Sequence, residues 1–430
     1  MTKFFRSATV IFSLFLSASP IHAQGLAKFL KAQKSIQFVE EIPGHSFFQH
    51  NYIIRVRQPL NYKDTLDGFF LQRVFVAEKH KSSPTVFITE GYAADYAKRP
   101  GYQNELSELL QANQICVEHR YFGESSPDSV VWKHLTVENA ANDHHRIVQL
   151  LKPYFEGKWL NTGISKGGQT ALAHRCFFPN DVDLTVAYVA PLNFGVEDGR
   201  HEPFLEKVGS DSCRSAILRF QREVLKRRDE IKPLLQNYCK TKACHSKLPY
   251  DQLLDFVVLE YPFAFWQWGH APGEIPNSKA TNEALFQHLS SVSKPDYFTI
   301  EGAKPYVPFF YQAAHELGYY GYDTSTLKSL LSVQTTKNYL NQFMTPENTK
   351  VAYRPETSQM VDEFLRTEAR NIILIYGEND PWTASAATIN SHPSNIKIVA
   401  PAGSHFTRVK TLPPEVNESI IRQIQVEMKK

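Results

Sequence analysis

A serine framed by glycines, Gly163-Ile164-Ser165-Lys166-Gly167-Gly168, has the Gly-x-Ser-x-Gly spacing of a nucleophile elbow. Such a turn forces its tip residue into a strained backbone conformation. Side chains two positions to either side would collide with each other or with the following helix, so glycine has a physical reason to stand there. A serine hydroxyl attacks a carbonyl only when a base removes its proton, and the base needs a carboxylate to fix its tautomer. Two later segments supply these groups. Tyr376-Gly377-Glu378-Asn379-Asp380-Pro381-Trp382 offers Asp380, and Ala402-Gly403-Ser404-His405-Phe406 offers His405. The competing readings are an Asp380 that only caps an Asn-Asp-Pro turn, Glu378 as the acid, and Ser165 as a structural residue of a glycine-rich turn. The base works only as neutral imidazole, so activity is expected to fall on acidification.

Each of these residues follows a short apolar run. Trp159–Gly163 precedes the serine, Asn371–Tyr376 the aspartate and Ile396–Ala400 the histidine. Residues 85–89, 114–117 and 184–190 are three further runs that read as buried strands. A helix is expected from the N-cap Thr136, with Ala140, Ile147, Val148 and Leu151 at helical intervals; His144 and His145 on it are read as surface residues. Asn51–Arg57 and Gly68–Val76 read as an antiparallel lead-in, and a last helix starts near Pro414. Alternating strands and helices imply a parallel, doubly wound sheet. The chain order serine, acid, histidine on loops after late strands is that of an α/β hydrolase, and the 25 residues between acid and base (405 − 380) accommodate a helix and a strand. The expected class is therefore α/β, an α/β-hydrolase sheet interrupted by a helical cap. From about Phe194 to Ser358 the alternation gives way to helical periodicity and dense aromatics, notably Tyr261–Gly269 and Phe309–Gln312. The division expected is a signal peptide over 1–23, a hydrolase core over 24–195 and 360–430, and a helical cap over 196–359.

Lys3 and Arg6, an apolar stretch from Ala8 to Ala18 and the small-residue site Ile21-His22-Ala23 form a leader for export, to the periplasm or beyond. The apolar run is short for a bilayer span, which argues against the alternative of a stable membrane anchor. The chain has 430 residues, 21% of them charged, with a net charge of +3. Lys226-Arg227-Arg228 is followed at once by Asp229-Glu230 and reads as a solvated helix face, so nothing points to nucleic acid. In an oxidising compartment a disulfide joining Cys213 to Cys239 or Cys244 is expected, with the partner open. Cys244-His245 lacks a second ligand pair at metal spacing. The chemistry proposed requires no cofactor and no metal; oligomeric state is not encoded legibly.

An oxyanion needs donors. The Lys166 amide after the nucleophile is one, and the turn after the 85–89 strand supplies the other, at Gly91 or Tyr92. No His-Gly-Gly-Gly run occurs there, which counts against a lipase. Glu118, at a strand end, is assigned to structure.

Thr89-Glu-Gly-Tyr92, Gly163-Ile-Ser-Lys-Gly-Gly168 and Gly403-Ser-His-Phe406 resemble the secreted bacterial tripeptidyl aminopeptidases, serine exopeptidases related to the lysosomal Pro-Xaa carboxypeptidases and dipeptidyl peptidases. Glu118–Ser125, Asp380-Pro-Trp382, Tyr311-Gln312 and Glu316–Tyr320 are similar to motifs of those lysosomal relatives, and the resemblance runs from about residue 50 to 410. The lysosomal enzymes carry a cysteine where this chain has Ala314, and a Gly-Gly-Ser-Tyr-Gly-Gly elbow where it has Thr162–Gly167; both departures favour the bacterial branch. The resemblance implies peptide substrates, cut so that short peptides leave from a free N-terminus, with proline preferred before the scissile bond. An exopeptidase must hold the substrate ammonium with a carboxylate; Glu197 and Asp198 are the first choices and Glu316 the third. Trp266, Trp268 and Phe310 are either a pocket for a proline ring or cap core. An esterase or lipase with the same triad and a non-catalytic binding protein on this scaffold are the alternatives.

Overall fold

The computed structural model describes residues 23–347, 349 and 351–429. The leader and its apolar stretch, 1–22, lie outside the described residues. Nine strands form one sheet in the order β1-β2-β3-β5-β4-β6-β7-β8-β9. β1 (Ile36–Glu41), β2 (His50–Pro59) and β3 (Phe69–Glu78) are antiparallel, and β3 joins β5 (Asn113–Val117) antiparallel. From β5 onward every pairing is parallel: β4 (Thr85–Thr89), β6 (Trp159–Ile164), β7 (Leu184–Tyr188), β8 (Ile372–Gly377) and β9 (Ile396–Ala400). This is the α/β-hydrolase fold expected. β4, β5, β7 and β8 are buried at every residue, which is why they read as unbroken apolar runs rather than alternating ones. β9 alternates in burial because it is the sheet edge.

Helices cover both faces. α1 (Ala23–Ala32) precedes the sheet and α2 (Glu105–Leu110) lies between β4 and β5. α1 and α3 (Val137–Leu151) bury Leu26, Leu30, Ile147, Val148 and Leu151 with β2 and β3 residues such as Ile54 and Val74. Thr136 caps α3 through its side chain, which accepts from Asn139 N–H at 3.1 Å. The helix expected near Pro414 runs Pro414–Lys429 and buries Ile420, Ile424 and Met428 against the other face. Between β7 and β8 the described residues contain no strand; long helices Asp211–Lys226, Arg228–Lys242 and Tyr250–Gln267 dominate. Their apolar faces share one cluster with Phe122 and Trp382, and Tyr92 packs against it. The helical insertion thus packs on loops from the carboxyl ends of β4, β5 and β8.

Three local expectations are corrected. His144 is fully buried, its Nδ1 2.6 Å from the Ala140 carbonyl, and burial pushes it down to about 3; a helix packed on a sheet by one face buries whatever stands on that face. His145 is half-buried and pairs with Asp181 at 2.8 Å. Arg227 and Arg228 do not form a solvated face. They stand at the break between two helices, where Arg227 donates to the Ser278 and Ala280 carbonyls and Arg228 to those of Asp251 and Leu330. The cysteines Cys213, Cys239 and Cys244 are all free. Ala243 takes a left-handed conformation that folds Cys244 back over the helix end, its amide bonding the Cys239 carbonyl at 2.9 Å, so the thiol beside Cys239 is that of Cys244 rather than Cys213.

Candidate active site

Parallel strands end together, and the loops beyond their carboxyl ends gather side chains from distant parts of the sequence. Ser165 follows β6, Gly91 and Tyr92 follow β4, Asp380 follows β8 and His405 follows β9. Ser165 has φ 57° and ψ −123°, a strained conformation for a residue with a side chain. Its amide is held by the Tyr188 carbonyl at 2.8 Å, and its own carbonyl starts α4 (Lys166–Phe177) by accepting from Gln169 at 2.9 Å. A side chain at position 163 would run into the Gly167 carbonyl, which explains the first glycine of the motif. At position 91 a Cβ would lie 2.7 Å from both Gly167 N and Lys166 Cβ. The turn after β4 and the elbow are therefore in tight backbone contact.

Asp380 is completely buried, and its Oδ2 lies 2.7 Å from His405 Nδ1. Its other oxygen caps a short helix by accepting from Trp382 N–H at 3.2 Å, so one carboxylate both caps the turn and lies against the histidine ring. Glu378 is spent elsewhere, accepting from Ala402 N–H at 2.9 Å. The backbone of His405 is held by the cap: its N–H donates to the carbonyl of Gln267, the last residue of the Tyr250–Gln267 helix, at 3.0 Å. Trp268, the next residue, is 44% exposed and stands perpendicular to the His405 ring at 6.0 Å.

Lys166 has its amide at the first position of α4, where no intrahelical acceptor exists. Its side chain does something the sequence reading missed. It is only 3% exposed, its Nζ donates to the Gly91 carbonyl at 2.6 Å, and it lies over the rings of Tyr92 and Phe122. Burial holds the ammonium well below its ordinary value. The Gly91 amide is engaged by the Glu90 carboxylate.

The remaining sequence candidates separate cleanly. Glu197 accepts from Asn338 N–H at 2.5 Å and pairs with Lys337 at 3.1 Å. Asp198 is clamped by Arg200 at 2.6 Å and by Phe194 N–H. Glu316 accepts from Val137 N–H at 2.7 Å and from Thr357. All three acids tie loops, each holding a cation or a backbone amide. Trp266 and Phe310 are buried cap core; Trp268 alone of the aromatic candidates stands beside the histidine. Glu118 is structural as expected, bonding Arg73, Ser125 and Ala94 N–H. Glu260 was not among the candidates. It is 8% exposed and accepts from Tyr320 at 2.9 Å and Tyr322 at 2.8 Å. The signal that would have found it is a lone acid inside the apolar run Phe256–Trp266.

Comparison with known proteins adds the following. The family model described as PS-10 peptidase S37 matches residues 23–425. Prolyl tri/tetrapeptidyl aminopeptidase of Streptomyces mobaraensis is 32% identical over 389 residues, 88% of this chain and 79% of that protein. The lysosomal Pro-X carboxypeptidase of Bos taurus is 26% identical over 204 residues, 43% of this chain and 41% of its own. Among solved structures, proline iminopeptidase of Mycobacterium smegmatis aligns with 87% of this chain and 99% of its own at 13% identity and a TM-score of 0.42.

Proposed function

The chain belongs to the PS-10 peptidase S37 family, and on that premise we propose that it is an exported serine exopeptidase releasing short peptides, chiefly tripeptides ending in proline, from free N-termini. Ser165 Oγ attacks the carbonyl carbon before the scissile bond while its proton passes to His405 Nε2. Asp380 accepts from His405 Nδ1–H, which fixes the tautomer and stabilises the imidazolium that forms. The oxyanion is received by the amides of Lys166 and Tyr92. Gly91 N–H, already engaged by Glu90, is the weaker choice for the second donor. His405 then gives its proton to the leaving amine, and water attacks the acyl-enzyme by the same route in reverse.

The observation that carries this reading is the buried Asp380–His405 pair at the end of the sheet where Ser165 occupies a strained elbow tip. The family and the Streptomyces relative support the peptide substrate; the length of the released peptide and the proline preference rest on the relative's printed name and the motif resemblance. Export rests on the leader's charged start, apolar stretch and small-residue site. Its removal after Ala23 leaves Leu26 and Leu30 in the core, and no helix of the described residues is long and apolar enough to cross a membrane.

Mass spectrometry of the products from a peptide library with free and acetylated N-termini tests the proposal. Release of tripeptides from the free set, enriched in proline at the third position, is expected. Equal cleavage of both sets contradicts the exopeptidase reading while leaving a serine hydrolase in place.

A further inference from the structure

A buried carboxylate needs compensation, and Glu260 has less than its neighbours. Both oxygens accept from Tyr320, and one also accepts from Tyr322. Among the described residues no lysine, arginine or histidine pairs with it, and burial pushes it up to about 7. The other acids considered for substrate binding each have a cation or a backbone amide in hand; Glu260 has only phenols.

Its place in the fold ties it to the reacting end of the sheet by two routes. Glu260 and Gln267 stand on one helix, Tyr250–Gln267, seven residues apart (267 − 260), about 10 Å along the axis. The Gln267 carbonyl receives the His405 amide at 3.0 Å. An extended tripeptide spans about 10 Å from its N-terminal nitrogen to its last carbonyl, so the helix sets the two groups apart by the length of a tripeptide. The second route runs through aromatic rings. Tyr320, which holds the carboxylate, lies 5.4 Å from Trp382, two residues beyond Asp380. Tyr319 OH bonds Tyr297 OH at 2.6 Å, Tyr297 meets Tyr306, and Tyr306 meets Tyr92 at 6.0 Å. With Tyr319 stacked on Tyr320 at 4.2 Å, tyrosine rings run from the oxyanion turn to Glu260, and such rings attract an ammonium group by cation–π interaction.

We propose that Glu260 receives the free α-ammonium of the peptide substrate, with Tyr320 and Tyr322 orienting the carboxylate, and that its spacing from His405 measures the tripeptide. This rests on the exopeptidase reading above and assigns its specificity to a residue.

The test is the ratio of kcat/KM for two peptides of one sequence, N-terminally free and N-acetylated, in the wild-type chain and in Glu260→Gln. The wild type is expected to favour the free peptide by about 30-fold or more, the scale of a desolvated ion pair. In Glu260→Gln the ratio collapses towards one, chiefly through KM of the free peptide. If that variant does not fold, Glu260→Asp carries the test: the charge survives one methylene short, and the ratio falls without vanishing. A wild-type ratio retained in either variant overturns the assignment of Glu260 alone. A wild-type ratio near one means that the exopeptidase reading has failed, and this assignment with it.

Discussion

The buried ammonium of Lys166 donates to the carbonyl of Gly91 at 2.6 Å, although the two residues are 75 positions apart in sequence. A peptide unit is planar and trans, so holding the Gly91 oxygen fixes the Tyr92 N–H on the opposite side of the same plane. Lys166 therefore acts on both proposed oxyanion donors: its amide is one, and its side chain aims the other. Lys166→Met keeps the amide and removes the aim. A fall in kcat of about 10²-fold with KM little changed is expected, as for loss of one oxyanion donor. Affinity for a boronate transition-state analogue should fall in parallel, and an unchanged kcat would contradict the role.

Asp380→Asn tests the acid. With the carboxylate gone, the His405 tautomer is no longer enforced, and kcat is expected to drop by about 10⁴-fold with the fold intact. Glu378→Gln, which loses only a bond to the Ala402 amide, should leave kcat within about twofold, since surface changes of this kind shift little. Reversal of these two outcomes in steady-state kinetics would make Glu378 the acid.

Glu260 carries a stability signature as well as a binding one. Held at about 7 in the fold against an ordinary 4.5, it favours the protonated form of the folded chain. Its contribution to stability is complete below the unfolded value and is lost as pH rises through about 7, amounting to about 3 kcal/mol. Glu260→Gln should therefore melt higher than the wild type at pH 8, with the gap closing towards pH 4.5. Thermal unfolding at several pH values reads this directly, and a gap independent of pH would contradict it.

Arg120 and Asp143 form a fully buried pair at 2.6 and 2.7 Å, and the guanidinium also donates to the Leu60 and His134 carbonyls. It fastens the loop after β5 to α3, one layer behind the elbow. Asp143→Ala strands a buried cation, and a loss of about 3–5 kcal/mol is expected from denaturant unfolding. A loss under about 1 kcal/mol, the scale of an exposed pair, would show that the pair is not desolvated in solution.

The central strands were legible because parallel strands buried on both faces leave continuous apolar runs, and 85–89 has the expected bounds; the edge strand 396–400 also has them, on a run broken only by Lys397. The elbow, Asp380 and His405 were legible because each follows such a run, and Thr136 because an N-cap acts within three residues. What was not legible depends on distant partners. Nothing in the sequence near Glu197 or Glu316 says that Lys337 and Val137 occupy them, whereas Asp198 is held by Arg200, its neighbour two residues on. His144 looks like any polar residue on a helix until β4 brings Phe87 against it. The Cys244 thiol, free like that of Cys239, lies beside it because one left-handed residue, Ala243, turns the chain back. The side chain of Lys166 points away from solvent for the same kind of reason: the turn after β4 arrives beneath it.

Central to all of this is Ser165 as nucleophile. Phosphonylation of the full chain with a fluorophosphonate, followed by peptide mapping, measures that directly. One label per chain on the peptide containing Ser165, with peptidase activity lost in proportion and no labelling of Ser165→Ala, is the expected result. Stoichiometric labelling at another serine, or full peptidase activity in Ser165→Ala, would contradict the account.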